Sequence, residues 1–252
     1  MQTKVKTAAE IEAMRTSGRM LATVLQSVKS QVTPGITTKQ LADHAAKALK
    51  SLGGKPAFLG YQGFPDVICI SLNNEVVHGI PSTKRIVQDG DIVGLDFGVI
   101  YDGMVTDAAI SVIAGKAKQK GHVDLVRDTE AALQIGINAV HDKVRTGDIG
   151  AAIEGFLKHH RYGIVRDLVG HGVGHNLHED PNIPNYGRAN SGPWLEAGMT
   201  IAIEPMVTLG GEAVTVADDG WTILTADNSW SAHFEHTVLI THEGAEILTA
   251  IN

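Results

Sequence analysis

The feature that most constrains this 252-residue chain is that its second half repeats the plan of its first. Gly90-Asp91-Ile92-Val93-Gly94-Leu95-Asp96 and Gly198-Met199-Thr200-Ile201-Ala202-Ile203-Glu204 each place a carboxylate six residues after a glycine, at the end of an apolar β-like run. Val77-His78-Gly79-Ile80 is echoed by Gly170-His171-Gly172-Val173. The flanking patterns repeat too. Ile11, Met14, Leu21, Val24, Leu25 and Val28 recur at helical spacing, and Thr33-Pro34-Gly35 is expected to end that helix. Thr37 or Thr38 can cap a second helix carrying Leu41, Ala45, Ala48 and Leu49, stopped by Gly53-Gly54. Runs rich in β-formers follow over 67–72, 91–100 and 104–113. In the second half, Val126, Leu133, Ile137, Val140 and Val144 predict a helix, Thr146-Gly147-Asp148 a turn, and a further helix reaches about His160 before more strands. No Pro/Ser/Gly-rich linker divides the chain. The expectation is a single domain over 1–252, made of two related halves, about 1–120 and 121–252, packed around one central site.

Composition narrows the classes. Apolar residues make up 43% of the chain and charged residues 19%, enough for a core that needs no covalent staples. Cys69 is the lone cysteine, so neither an intramolecular disulfide nor a cysteine-based zinc knuckle can form, which suits a reducing compartment. Residues 8–28 interleave charges with apolar positions, so neither a secretory signal nor a membrane span is expected. A cytoplasmic monomer is the expectation. With 21 basic against 28 acidic residues, the net charge of −7 argues against a broad nucleic-acid footprint. Twelve histidines are many for this length, and several sit beside glycines. That points towards a site.

Carboxylates inside apolar β runs are costly to bury unless a cation compensates them. Asp96 and Glu204 stand in such positions, and Glu235 opens the run Glu235-His236-Thr237-Val238-Leu239-Ile240. If Asp102-Gly103 forms a two-residue hairpin turn, Asp96 faces Ala109, and Asp107, two residues from Ala109, points to the same face as Asp96. Asp96 alone would more often be a plain strand-end acid. Four converging carboxylates, however, would repel strongly without cations, and two divalent metals could neutralise them. Gly170-His171-Gly172-Val173-Gly174-His175-Asn176-Leu177-His178 is too glycine-rich for a zinc-protease helix and is expected as a loop or irregular strand. There His171 can be a ligand, His178 a hydrogen-bond donor, and His175 a partner within the loop. His159 and His160 are expected on a solvated helix face. Asp96-Phe97-Gly98 spells the kinase magnesium motif, but the other kinase signatures are missing.

These residues resemble the type I methionine aminopeptidases, whose pseudo-two-fold α+β fold is called pita-bread. The likeness covers about residues 7–250. It is carried by Lys6-Thr7-Ala8-Ala9-Glu10-Ile11-Glu12-Ala13-Met14-Arg15, Asn74-Glu75-Val76-Val77-His78-Gly79-Ile80-Pro81, Gly170-His171-Gly172-Val173-Gly174, Ile203-Glu204-Pro205-Met206, Asp219-Gly220-Trp221-Thr222 and Phe234-Glu235-His236-Thr237. The resemblance implies a central antiparallel sheet with helices on its outer face. It implies two divalent metals, drawn from Mn, Fe, Co or Zn, on Asp96, Asp107, His171, Glu204 and Glu235, with Asp107 and Glu235 bridging. The implied reaction removes the N-terminal methionine of nascent proteins and peptides, as a metal-bridging hydroxide attacks the first peptide bond. His178 would stabilise the oxyanion, Glu204 relay the proton, and His78 contact substrate near the scissile peptide.

By the same resemblance Tyr61, Phe64 and Trp221 line the methionine pocket. Phe58 and Leu177 stand where many relatives carry cysteine and phenylalanine, which changes the pocket's shape. Ribosome association is left open. Proline-specific relatives usually carry an additional N-terminal domain, and none is expected here, because the two-half unit begins within about ten residues of Met1. Type II enzymes carry a large insertion, whereas His171 and Glu204 lie only 33 positions apart. A catalytically dead binding module would be expected to have lost ligands, and all five candidates are present.

Overall fold

Strand alternation decides which face of the sheet carries chemistry. The computed structural model describes residues 3–251. Ile92–Tyr101 and Met104–Ile113 form an antiparallel hairpin joined by Asp102 and Gly103, whose φ angles are 46° and 78°. Two consecutive positive φ values match the turn that suits strand twist, and glycine is the residue that adopts one at least cost. Val93, Leu95, Phe97 and Val99 enter a core with Leu21, Val24, Leu25 and Val28 of α1 (Ala8–Lys29) and Leu41, Ala45 and Leu49 of α2 (Thr38–Leu52). The period of two therefore turns Gly94, Asp96 and Gly98 to the opposite face.

The second half is built in the same way. Leu125, Leu133 and Ile137 of α3 (Lys120–Asn138) and Ile149, Ile153 and Leu157 of α4 (Thr146–His160) bury Ile201, Ile203, Val238 and Ile240. Each such side chain contributes roughly 1.5–3 kcal/mol when fully buried. Helix starts follow local chemistry: Thr7 with Glu10, and Thr37 with Gln40, form capping boxes, and Gly53 closes α2 at φ 84°.

Among the described residues the central sheet has nine strands. Its main path runs Lys55–Pro56, Ile92–Tyr101, Met104–Ile113, Glu235–Ile240, Thr200–Ile203, Gly170–Gly172, Glu179–Ile183. Cys69–Leu72 adds to Ile92–Tyr101, and Ala245–Ile247 to Glu235–Ile240; every pairing is antiparallel. Within this sheet the two halves of the chain meet where Met104–Ile113 pairs with Glu235–Ile240.

Three helix ends differ from the sequence reading: Thr146-Gly147-Asp148, expected as a turn, is the first turn of α4. α1 stops at Lys29, ahead of Thr33-Pro34-Gly35, where the N–H groups of Gln31 and Val32 turn to carbonyls three residues back. α3 stops at Asn138, yet Val140 and Val144 are still buried, filling the same core from the connecting turn. Apolar spacing alone does not separate a helix from a turn that feeds one core. His159 and His160 are exposed, as expected, and His160 Nδ1 lies 3.3 Å from Asp128. Among the described residues no helix is long and apolar enough to cross a membrane.

Candidate metal centre

Three strands align the acids. Asp96 pairs with Ala109, and Ala109 pairs with Glu235, so two carboxylates flank one methyl group across the sheet. Asp107, two residues before Ala109, shares their face. Its backbone N–H donates to Thr237 Oγ1 (2.8 Å), and the Thr237 hydroxyl donates to the Asp107 carbonyl (2.8 Å), which ties the hairpin to the Glu235 strand. Glu204 follows the Ile203–His236 pair by one residue. His171 lies between two glycines, and a Cβ on Gly170 would come within 2.4 Å of the Ala202 carbonyl. Only glycine permits that approach of the two backbones. His171 Nδ1–H donates to the Gly172 carbonyl (2.9 Å), which leaves Nε2 as the ring nitrogen that faces the acids.

Twelve of the side chains singled out in the sequence line one cavity of about 140 Å³: Phe58, Tyr61, Phe64, His78, Asp96, Asp107, His171, Leu177, His178, Glu204, Trp221 and Glu235. Gln62 and Cys69 complete the lining and were not foreseen. Cys69 is placed by its pairing with Asp96, a register between separate strands that local pattern does not carry. One end of the cavity is acidic, and the other is an apolar cluster of Phe58, Phe64, Cys69 and Leu177 with Tyr61 and Trp221. Phe64 meets Trp221 edge-on at 5.2 Å, and Asp219 holds the Trp221 loop by accepting from the N–H groups of Trp221 and Thr222. The Phe58 ring covers Gly98, where a Cβ would fall 2.7 Å from Phe58 Cε1. His78 has a positive φ of 61°, a strained position that commonly marks a functional residue. His178 lies edge-on to His171 at 4.3 Å, with its Nδ1 2.8 Å from the Tyr61 hydroxyl. His175 reaches away to Glu10, 2.7 Å from its carboxylate.

Burial, together with the neighbouring acids, raises Asp107 and Glu235 well above the ordinary carboxylate range. Asp96 is pushed up to about 7, chiefly by burial, with His233 opposing and Glu204 adding to the shift. Burial also raises Glu204, but the imidazoles of His233 and His171 outweigh it and hold this acid below its usual value. Burial depresses His178 to about 4, with help from His171. Asp96 Oδ1, Asp107 Oδ1 and Glu235 Oε1 are buried without a hydrogen-bond partner. Three buried carboxyl oxygens facing one cavity without a partner are satisfied either by a bound proton or by a cation, and an oxygen-rich set beside an imidazole fits divalent cations. Among the described residues two groups hold donor atoms within 4.8 Å of one another, Asp107 with His171 and Glu235, and Glu204 with His233 and Glu235; Asp96 is in neither.

The profile of Metallopeptidase family M24 matches residues 12–242. A methionine aminopeptidase of Mycoplasma capricolum is 42% identical, with 97% of each chain covered. The crystal structure of methionine aminopeptidase from Thermotoga maritima superposes with a TM-score of 0.97 at 43% identity, covering 99% of this chain and 100% of that one. Prolidase from Pyrococcus furiosus shares the fold at a TM-score of 0.78 and 24% identity, covering 98% of this chain and 66% of the prolidase. The architecture is thus the α+β pita-bread fold expected from the sequence. With this coverage and identity, the chain belongs to metallopeptidase family M24, in its methionine aminopeptidase branch.

Proposed function

We propose that this enzyme removes the N-terminal methionine from peptides and nascent proteins by metal-dependent hydrolysis, with 1–252 acting as one catalytic domain of two related halves. The observation that carries the reading is the set of partnerless carboxylate oxygens at one end of a cavity whose other end is apolar. Asp96, Asp107, His171, Glu204 and Glu235 would hold two divalent metals. Bound there, Mn, Fe, Co or Zn would supply electrophilic polarisation of the scissile carbonyl and an acidified water.

The side chains account for the rest. Tyr61, Phe64, Trp221, Phe58 and Leu177 clasp the thioether side chain. The free α-amine is drawn to the acidic end, so a chain terminus is presented and an internal peptide is not. With the Tyr61 hydroxyl donating to His178 Nδ1, the neutral ring carries its proton on Nε2 and can donate it to the carbonyl oxygen as negative charge develops. His78 borders the scissile peptide and orients it. Glu204, kept ionised by the flanking imidazoles, accepts the proton of the attacking water and returns it to the leaving amine. The reading takes the enzyme to work as a cytoplasmic monomer, where N-termini emerge from ribosomes.

The test compares chelator-stripped enzyme with enzyme reconstituted with each metal, on Met-Ala-Ser and on its N-acetylated form. Cleavage of the free tripeptide alone, and only after reconstitution, is expected. Metal uptake with no cleavage of either peptide would leave a binding module instead.

A further inference from the structure

Within the acidic cluster one imidazole enters the reaction outlined above only through its effect on Glu204. His233 ends the strand Ser231–His233 and is 4% exposed. Its backbone is clamped on both sides by Ser111, whose hydroxyl donates to the His233 carbonyl (2.9 Å) and accepts from the His233 N–H (3.0 Å). Its Nε2 is buried and makes no hydrogen bond. A buried nitrogen of that kind costs stability unless something is bound to it. From the geometry we propose that His233 Nε2 is a sixth ligand of the metal centre, giving it a second nitrogen donor; the inference rests on the metal-dependent reading of this cavity.

Distances carry the argument. Glu204 stands between two imidazoles, with His171 Nε2 3.5 Å from Oε1 and His233 Nε2 3.4 Å from Oε2. Both separations exceed a good N–H···O hydrogen bond, which falls at about 2.7–3.2 Å. Two donors each about 2.1 Å from one ion, and subtending an angle near 90–110°, lie roughly 3.0–3.4 Å apart. The two imidazoles therefore sit at a ligand-to-ligand spacing from Glu204. The grouping agrees: Glu235 is common to the set containing His171 and to the set containing His233. Each ion of a pair sharing Glu235 then has one nitrogen donor. A centre with two imidazoles favours Co, Zn and Fe over Mn more strongly than a centre with one.

Co(II) is the probe. A high-spin Co(II) ion shifts the ring N–H proton of each imidazole bound to it far outside the normal ¹H range, and such protons vanish in D₂O. Co(II)-loaded wild type is expected to show two such signals, from His171 and His233. His233→Gln is expected to show one, and to bind Co(II) at least about 10-fold more weakly by titration calorimetry, with a smaller loss for Mn(II). A single signal in the wild type, unchanged in His233→Gln, would overturn the assignment and leave His233 as a neighbour that orients Glu204. The wild-type count decides without depending on how well the variant folds. A wild type that binds no Co(II), or binds it and leaves Met-Ala-Ser intact, would defeat the functional reading itself, an outcome distinct from a one-signal result in an active enzyme.

Discussion

Asp107 and Glu235 are 4% and 2% exposed, and each keeps a carboxylate oxygen without a partner. Such groups are tolerated when a ligand completes them, so the two should act through what they bind. Asp107→Asn is expected to abolish peptide cleavage and to release at least about one ion per chain, measured by elemental analysis after gel filtration. A variant with full activity would remove Asp107 from the ligand set. His178 should behave differently, because its Nδ1 is engaged by the Tyr61 hydroxyl. His178→Ala is expected to retain its metal and lose about 10²–10³-fold in kcat. Complete metal loss would contradict that role.

At the level of elements, α3 is docked by more than its apolar stripe. His122 stacks on Trp230 with ring centroids 3.8 Å apart, and Lys118 Nζ lies 5.3 Å from the same indole. Burial, and then the Lys118 charge, lower the His122 pKa below 6.5, so the unfolded chain binds this proton more readily than the folded one. Stability from this contact is therefore complete above about pH 6.5 and declines as pH falls towards the lower folded value. Urea midpoints taken from pH 7.5 to 5 should fall less steeply in His122→Gln than in the wild type; parallel slopes would refute the coupling. The hairpin carrying Asp96 and Asp107 was readable because Asp102-Gly103 fixes a two-residue turn, and the turn fixes which residues share a face. Val140 and Val144 misled because a turn can feed the core of the helix before it. Cys69 and His233 were missed for a common reason: each is placed by a partner distant in sequence, Asp96 for one and Ser111 for the other. Nothing local to either residue announces that partner.

Across the whole molecule, the cluster joins strands from both halves of the chain, so filling it should brace the entire sheet. Cations bound at about 100-fold their dissociation constant would add about 2.7 kcal/mol to stability. For a chain of this size that corresponds to a rise of roughly 5–10 °C in Tm, which calorimetry of stripped and reconstituted protein would record. An unchanged Tm would mean that the carboxylates are not completed by metal. The most direct test is anomalous diffraction from crystals grown with Mn(II) or Co(II), using data above and below the absorption edge. Two peaks are expected inside the ring of Asp96, Asp107, His171, Glu204 and Glu235, separated by roughly 3.5–4 Å. A cavity without anomalous signal in crystals of enzyme that cleaves Met-Ala-Ser would contradict the account at its centre.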